Sequence, residues 1–264
     1  MNIIEVRNLT RTFGQVKAVD DITFDVAEGE IFAFLGPNGA GKSTTIKMLT
    51  TLLHPTSGTI RVNGHDPVAE PDAVRRSFGI VFQDPAVDDE LTAWENMEFH
   101  GVLYGVPKAR RRQRIDELLA FVELSDRANS QVKEFSGGMR RRLEIARGLL
   151  HTPKVVFLDE PTLGLDPQTR NHMWSYLQQL NASDRTTVFF STNYMEEAER
   201  VAERIAIIDH GRIVAMGTAA SLREKTGTES LEAAFLALTG SNIREEEGSS
   251  ADRMRMVQRM RRGR

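Results

Sequence analysis

The segment Gly36-Pro37-Asn38-Gly39-Ala40-Gly41-Lys42-Ser43-Thr44 directly follows the apolar run Ile31 to Leu35 and precedes Ile46, Met48, Leu49, Leu52 and Leu53. Residues Gly36 to Ser43 fit the pattern G-x-x-x-x-G-K-[ST]. A continuous apolar run reads as a strand covered on both faces. The later spacing reads as an amphipathic helix, ended by His54-Pro55-Thr56-Ser57-Gly58. In that context the pattern binds phosphate, because glycines let the backbone curl until successive N–H groups face the phosphates. The following helix adds the positive end of its dipole. Lys42 is placed to reach the β- and γ-phosphate oxygens, and the Ser43 hydroxyl to ligate Mg2+.

A second apolar run ends in two acids, Val155-Val156-Phe157-Leu158-Asp159-Glu160. Unpaired carboxylates are costly inside a core, so both are expected at the carboxyl edge of a strand, beside the phosphate loop. Asp159 would hold Mg2+ through water, and Glu160 is the candidate base for the attacking water. Between loop and acids lies Phe135-Ser136-Gly137-Gly138-Met139-Arg140. Ser136 offers a hydroxyl, and Gly137-Gly138 leave N–H groups bare at the positive end of a helix, so this is a second phosphate-binding surface. One chain does not need two such surfaces for one ATP, whereas two chains facing head to tail do.

The surrounding pattern is α/β. Ile3 to Val6 and the alternating Ile22 to Val26 read as strands of a half-exposed antiparallel layer. After Gly79-Ile80-Val81-Phe82 the pattern turns helical from about Thr92 to Leu150. Thr92-Ala93-Trp94-Glu95 is a capping box, Pro107 precedes a second helix and Gly137-Gly138 opens a third. Alternation then resumes, with strands at Val155 to Leu158, Thr187 to Phe190 and Arg204 to Ile208 and helices around His172 to Leu180 and Met195 to Ala202. A short helix, Leu231 to Leu238, precedes Gly240. The expectation is one domain over residues 1–240, with a helical insertion at about 84–150, and a disordered basic tail over 241–264. The clusters Arg110-Arg111-Arg112 and Arg140-Arg141-Arg142 read as solvated helix faces, and the six histidines as satisfied or solvated.

With 264 residues, 40% of them hydrophobic, the chain can bury a full core. It has no cysteine, which excludes disulfides, thiolate metal sites and a cysteine nucleophile. A net charge of −3 gives no sign of a nucleic-acid partner. No run approaches the length of a membrane span, and Met1 to Thr10 lacks the features of a signal peptide, so a cytoplasmic location is expected.

Taken together, these motifs resemble the nucleotide-binding domain of ATP-binding cassette (ABC) transporters, and the match covers almost all of Ile3 to Gly217. Ser136-Gly137-Gly138-Met139-Arg140 resembles the family signature L-S-G-G-Q, Gln83 the glutamine lid, and Gly164-Leu165-Asp166-Pro167 the dimer-contact loop. The resemblance implies a P-loop NTPase core, with a mixed sheet, flanking helices, an N-terminal antiparallel β layer and a helical insertion. It implies ATP contacts by Phe13, stacking on adenine, and by Val19, Gly36 to Thr44, Gln83 and Asp159. It also implies Ser136, Gly137, Gly138 and Met139 acting in trans, Asp166 at the dimer contact, and Mg2+ held by Ser43, Gln83 and Asp159. The implied assembly is a homodimer closing over ATP against a separate polytopic membrane subunit, on the inner face of the cell membrane. Phe135 to Arg147 and the ending Leu231 to Gly240 are similar to the daunorubicin-resistance type of exporter ATPase. Such a motor would drive export of drugs or other hydrophobic compounds.

One departure bears on turnover. The family places a histidine within T-H-x-M-E-E-A, and Ser191-Thr192-Asn193-Tyr194-Met195-Glu196-Glu197-Ala198 has Asn193 there. Asparagine is shorter and cannot become cationic near neutral pH, although its amide still donates. Two functions stay open: a transport motor, and a slow or non-hydrolysing ATP-dependent clamp. Non-transport ABC proteins usually carry two cassettes or a long coiled coil, and this chain has neither.

Overall fold

A computed structural model of the chain describes residues 1–83 and 86–240. Positions 84 and 85, at the expected start of the insertion, and the basic tail lie outside the described residues. The strands are β1 (Asn2–Phe13), β2 (Val16–Ala27), β3 (Ile31–Leu35), β4 (Ser57–Val62), β5 (Phe78–Val81), β6 (Val155–Asp159), β7 (Thr187–Thr192), β8 (Arg204–Asp209) and β9 (Arg212–Gly217). The α-helices are α1 (Lys42–Leu49), α2 (Pro71–Ser77), α3 (Ala93–Leu103), α4 (Lys108–Phe121), α5 (Gly137–Leu149), α6 (Pro167–Asp184), α7 (Met195–Val201), α8 (Ala219–Thr226) and α9 (Leu231–Thr239).

Alternating strands and continuous strands separate into two sheets. The antiparallel sheet, in the order β2-β1-β4, buries Ile4, Val6, Ile22, Phe24, Val26, Ile60 and Val62 on one face. The larger sheet, in the order β5-β6-β7-β3-β8-β9, is parallel except for β9, and β3 and β6 are buried along their whole length. Both its faces are covered, as the continuous apolar runs require. Phe32, Phe34, Phe157 and Phe189 point toward the antiparallel sheet, where Phe24 stacks on Phe32 at 5.8 Å between ring centroids. Ala33, Leu35, Val156, Leu158, Val188 and Phe190 point the other way, into the core shared with α3 to α6.

Several elements run differently from their sequence patterns. Strands β1 and β2 extend well beyond Ile3 to Val6 and Ile22 to Val26, because β1 is hydrogen-bonded on both sides and the ladder carries its polar residues Arg7 and Thr10. Ser57 and Gly58, expected to end a helix, begin β4. Helix α1 stops at Leu49, with Thr51 at φ 65°, and Leu52 is exposed. The capping box at Thr92 and Glu95 is present and opens α3.

Two contacts set the insertion against the sheet. A Cβ on Gly79 of β5 would lie 2.1 Å from the Gly148 carbonyl oxygen of α5, so strand and helix approach more closely than any side chain allows. Near the far end of α5, His100, Tyr104 and His151 form a ring cluster, with Tyr104 stacked on His151 at 3.9 Å. This departs from the expectation of satisfied or solvated histidines. His151 Nε2 meets the Phe78 carbonyl at 2.9 Å, but its Nδ1 and His100 Nε2 are buried without partners.

Gly79→Ala is expected to lower stability by about 1–3 kcal/mol, the usual range for overpacking, measured as a shift in the denaturant midpoint. Burial, with smaller contributions from the Arg147 and His151 charges, drives the His100 pKa down to about 3. The unfolded chain therefore binds a proton at this position between about pH 6.5 and about pH 3 while the folded chain does not. Stability is present in full above that window and falls as pH drops through it, by up to about 1.4 kcal/mol per pH unit. His100→Phe should flatten this slope in unfolding titrations between neutral and mildly acidic pH, whereas an unchanged slope would locate the acid sensitivity elsewhere.

Candidate functional site

The site lies at the carboxyl end of β3. The Gly36 N–H donates to the Thr192 carbonyl at the end of β7 (3.3 Å), and the residues that follow curl back into α1. A Cβ on Gly36 would lie 2.5 Å from the Ile208 carbonyl oxygen, and Gly41 has φ 107°, so both positions require glycine. Gly41 is also the N-cap of α1 and supplies no capping side chain, which leaves first-turn N–H groups available to an anion. Lys42, only 4% exposed, donates to the carbonyls of Gly36 (2.7 Å) and Pro37 (3.1 Å) and pairs with Glu160 at 3.3 Å. Burial pulls the Lys42 pKa down, and the Glu160 carboxylate opposes that shift.

The two acids lie beside the loop. Asp159, 5% exposed at the end of β6, accepts from the Ser43 hydroxyl (3.2 Å) and the Ser191 hydroxyl (2.5 Å). Glu160 has φ 47°, a left-handed conformation that costs a residue with a Cβ about 1–2 kcal/mol. Its N–H donates to Ser191, to the carbonyl at 3.2 Å and to the hydroxyl at 3.0 Å. Such strain persists where the surroundings over-determine the backbone.

Much of that determination comes from residues whose role the sequence pattern did not reveal. Arg141 was expected on a solvated helix face, yet it is 8% exposed. Its Nε donates to the Pro161 carbonyl (2.7 Å), and its Nη2 to the carbonyls of Asp159 (3.3 Å) and Glu160 (3.2 Å). Its Nη1 donates to the Phe82 carbonyl and to Glu144 (3.2 Å). The sequence signal was the i,i+3 pair Arg141 and Glu144 on the α5 face that carries Gly148. Just past the acid turn, buried Glu197 accepts from Thr162 (2.5 Å) and Thr192 (3.1 Å), and the Tyr194 N–H donates to Thr192 Oγ1 (2.9 Å). These bonds fix the turn carrying Asn193, one residue beyond the carbonyl that receives Gly36.

The remaining candidates are more dispersed. Phe13, 45% exposed at the end of β1, has the Arg11 guanidinium 4.5 Å above its ring. Val19 is fully buried under Gly41, and Gln83 is exposed just past β5. Ser136 and Gly137 are exposed at the start of α5, where Ser136 caps its own helix by accepting from the Met139 N–H (3.3 Å). Asp166 similarly caps α6, and Thr169 on its first turn lies against Gly138. Among the described residues, no hydrogen bond or ion pair joins Ser136, Gly137, Gly138 or Met139 to the phosphate loop.

A glycine loop at the carboxyl end of a buried parallel strand, opening a helix and facing an acid pair, defines a P-loop ATPase core. The particular branch follows from comparison with known proteins. Residues 19–163 match the sequence model of the ABC transporter family. The chain is 46% identical over 228 residues to the daunorubicin/doxorubicin resistance ATP-binding protein DrrA of Streptomyces peucetius, a match covering 86% of this chain and 69% of the relative. It is 40% identical over 243 residues to the linearmycin resistance ATP-binding protein LnrL of Bacillus subtilis (strain 168), covering 92% and 76%. The ATP-binding subunit of an ABC transporter superposes with a TM-score of 0.82 at 32% identity, over 89% of this chain and 99% of that one. A dimeric post-hydrolysis state of the ATP-binding cassette MJ0796, bound to ADP and Pi, superposes with a TM-score of 0.74 at 29% identity, over 81% and 98%. The chain belongs to the ABC transporter family and is an ABC-type ATPase.

Replacing Lys42 with methionine keeps the stem but removes the ammonium. ATP affinity should fall by about ten- to hundredfold, the usual weight of a hydrogen bond to a charged group. Titration of a fluorescent ATP analogue measures this, and unchanged affinity would remove Lys42 from the phosphate site.

Proposed function

We propose that the chain is the ATP-driven motor of an exporter of drugs or other hydrophobic compounds, working as a homodimer on a separate membrane subunit. The observation that carries the dimer is the separation of the signature from the phosphate loop. Ser136 and Gly137 are exposed at a helix start and satisfy only that helix. A second copy facing head to tail would bring this helix end to the other copy's ATP, with the Gly164 to Pro167 loop beside it at the contact. The relatives named for resistance to daunorubicin, doxorubicin and linearmycin favour drug export.

In this reading the loop N–H groups and Lys42 hold the phosphates, Phe13 stacks on adenine, and Glu160 polarises the attacking water. Ser43 and Asp159 suit Mg2+, since hard oxygen donors 3.2 Å apart can share a small cation directly or through water. Among the described residues no group of three or more His, Cys, Asp or Glu could hold a metal, so phosphate oxygens would complete the shell. Mg2+ would neutralise charge on the leaving phosphates. No helix among the described residues is long and apolar enough to cross a membrane, and in this reading the separate membrane subunit supplies the spans. Helix α3 is the docking surface in this reading: Phe99, Val102 and Leu103 are exposed, and Leu103 lines a hollow of about 570 Å³ together with Arg75 and Arg76. That would hold the chain against the inner face of the cell membrane.

Asn193 supports a second reading, a slow clamp. A donor aimed at developing charge is commonly worth about 2.7–4 kcal/mol, or roughly a hundred- to thousandfold in rate. Turnover by the purified chain is the test. Glu160→Gln should keep ATP binding while losing about a hundredfold or more in kcat, as expected for a general base. Asn193→His should turn over faster than the natural chain if the clamp reading holds. Equal rates remove the clamp and leave the motor. Copurification with a polytopic membrane protein supports the motor, and a ribosome-bound pool without a membrane fraction counts against it.

A further inference from the structure

Arginine has five N–H donors in a rigid fork. Arg141 uses them on five oxygens: the carbonyls of Phe82, Asp159, Glu160 and Pro161, and the Glu144 carboxylate. The other Glu144 oxygen accepts from the Ala86 N–H at 2.6 Å, and Arg147 donates to the Ala86 carbonyl at 2.5 Å. One helix, α5, thus grips the backbone on both sides of Gln83 and at the turn carrying both acids.

The pattern is more than a salt bridge that fills space. Three successive carbonyls, of Asp159, Glu160 and Pro161, turn toward one cation, and the middle residue is the left-handed Glu160. Carbonyls aimed together repel one another unless a cation sits between them. Removing Arg141 would take a donor from all three in a buried site, leaving the Glu160 carbonyl only the Leu163 N–H at 3.3 Å, and the turn would relax toward an ordinary backbone conformation. The Glu160 carboxylate would then leave its position 3.3 Å from Lys42. Helix α5 can reach this turn because Gly148 packs directly on Gly79, and Arg141, Glu144 and Gly148 share one face of the helix.

We propose that Arg141, held by Glu144, is a positioning residue for ATP hydrolysis. It fixes the backbone under Glu160 and beside Gln83, so that the helix bearing the signature and the hydrolytic acid move as one unit. The inference rests on Glu160 being the base.

The test uses the purified full-length chain. Arg141→Lys keeps a charge but loses the fork, and Arg141→Gln loses both. The phosphate loop is untouched, so ATP affinity should stay within about threefold, whereas kcat should fall by about ten- to hundredfold, the scale of a misplacement of about 1 Å. A purely structural role would lower the amount of folded enzyme and leave kcat per folded molecule unchanged. Arg141→Gln/Glu144→Gln guards against a folding defect, because a neutral pair leaves no unpaired buried charge. That double variant should be more stable than Arg141→Gln alone, since it leaves no unpaired buried charge, without recovering kcat. Natural kcat in folded Arg141→Lys, or in the double variant, overturns the proposal. Glu160→Gln is measured alongside. If it retains natural kcat, the base assignment fails and the proposal falls with it. If it is inactive while the Arg141 variants are not, the positioning role alone fails.

Discussion

The structure depends on the hydrogen bonding of β3 between β7 and β8. Parallel pairing aligns Leu35 with Thr192 on one side and Ile207 on the other, so β3 and β7 end at one level while β8 runs on to Asp209. The phosphate loop starts there, already bonded through Gly36 to Thr192, and Asp159 arrives from the next strand over, paired with Ser191. Carboxyl ends of parallel strands gather residues distant in sequence into one crevice. Lys42 and Glu160, far apart along the chain, meet at 3.3 Å for this reason.

The same crevice gathers costs as well as groups. Lys42 is buried, Asp159 is buried, and Glu160 occupies a backbone region that disfavours a side chain. Each is offset locally: Lys42 by loop carbonyls, Asp159 by two hydroxyls, and Glu160 by Ser191 and Arg141. Polar groups kept at such expense in a low-dielectric site exert stronger electrostatic effects than they would in water. The signature end of α5 is arranged differently, exposed and satisfied only by its own cap. An internally paired half and an open half on one chain are what the proposed site shared between two copies would need.

Parts of this were legible in the residue order. Glycine spacing, continuous apolar runs and the acid pair each have one physical explanation, and β3, β6 and the loop formed where expected. The capping box at Thr92 and the Ser136 cap also formed, because capping is local chemistry within four residues. Strand β4 was not legible, since its two buried residues acquire meaning only beside β1. Arg141 was misplaced for a similar reason. A basic run on a helix reads as solvated unless the partner surface is known, and that surface is made of backbone carbonyls, which carry no sequence signal.

The sequence by itself determined the class of the protein, an ABC-type ATPase, and the chemical groups available to it, because phosphate cradles and acid pairs need particular residues at particular spacings. It also placed Asn193 at the position where the resemblance implies a histidine. Only the tertiary structure decided which groups meet. Strand order brought Ser191 to Asp159, the contact of Gly79 with Gly148 brought α5 within reach of the acid turn, and burial converted Arg141 from a surface charge into the cation under Glu160. Contacts of this kind depend on pairing between distant segments, which local residue patterns do not encode.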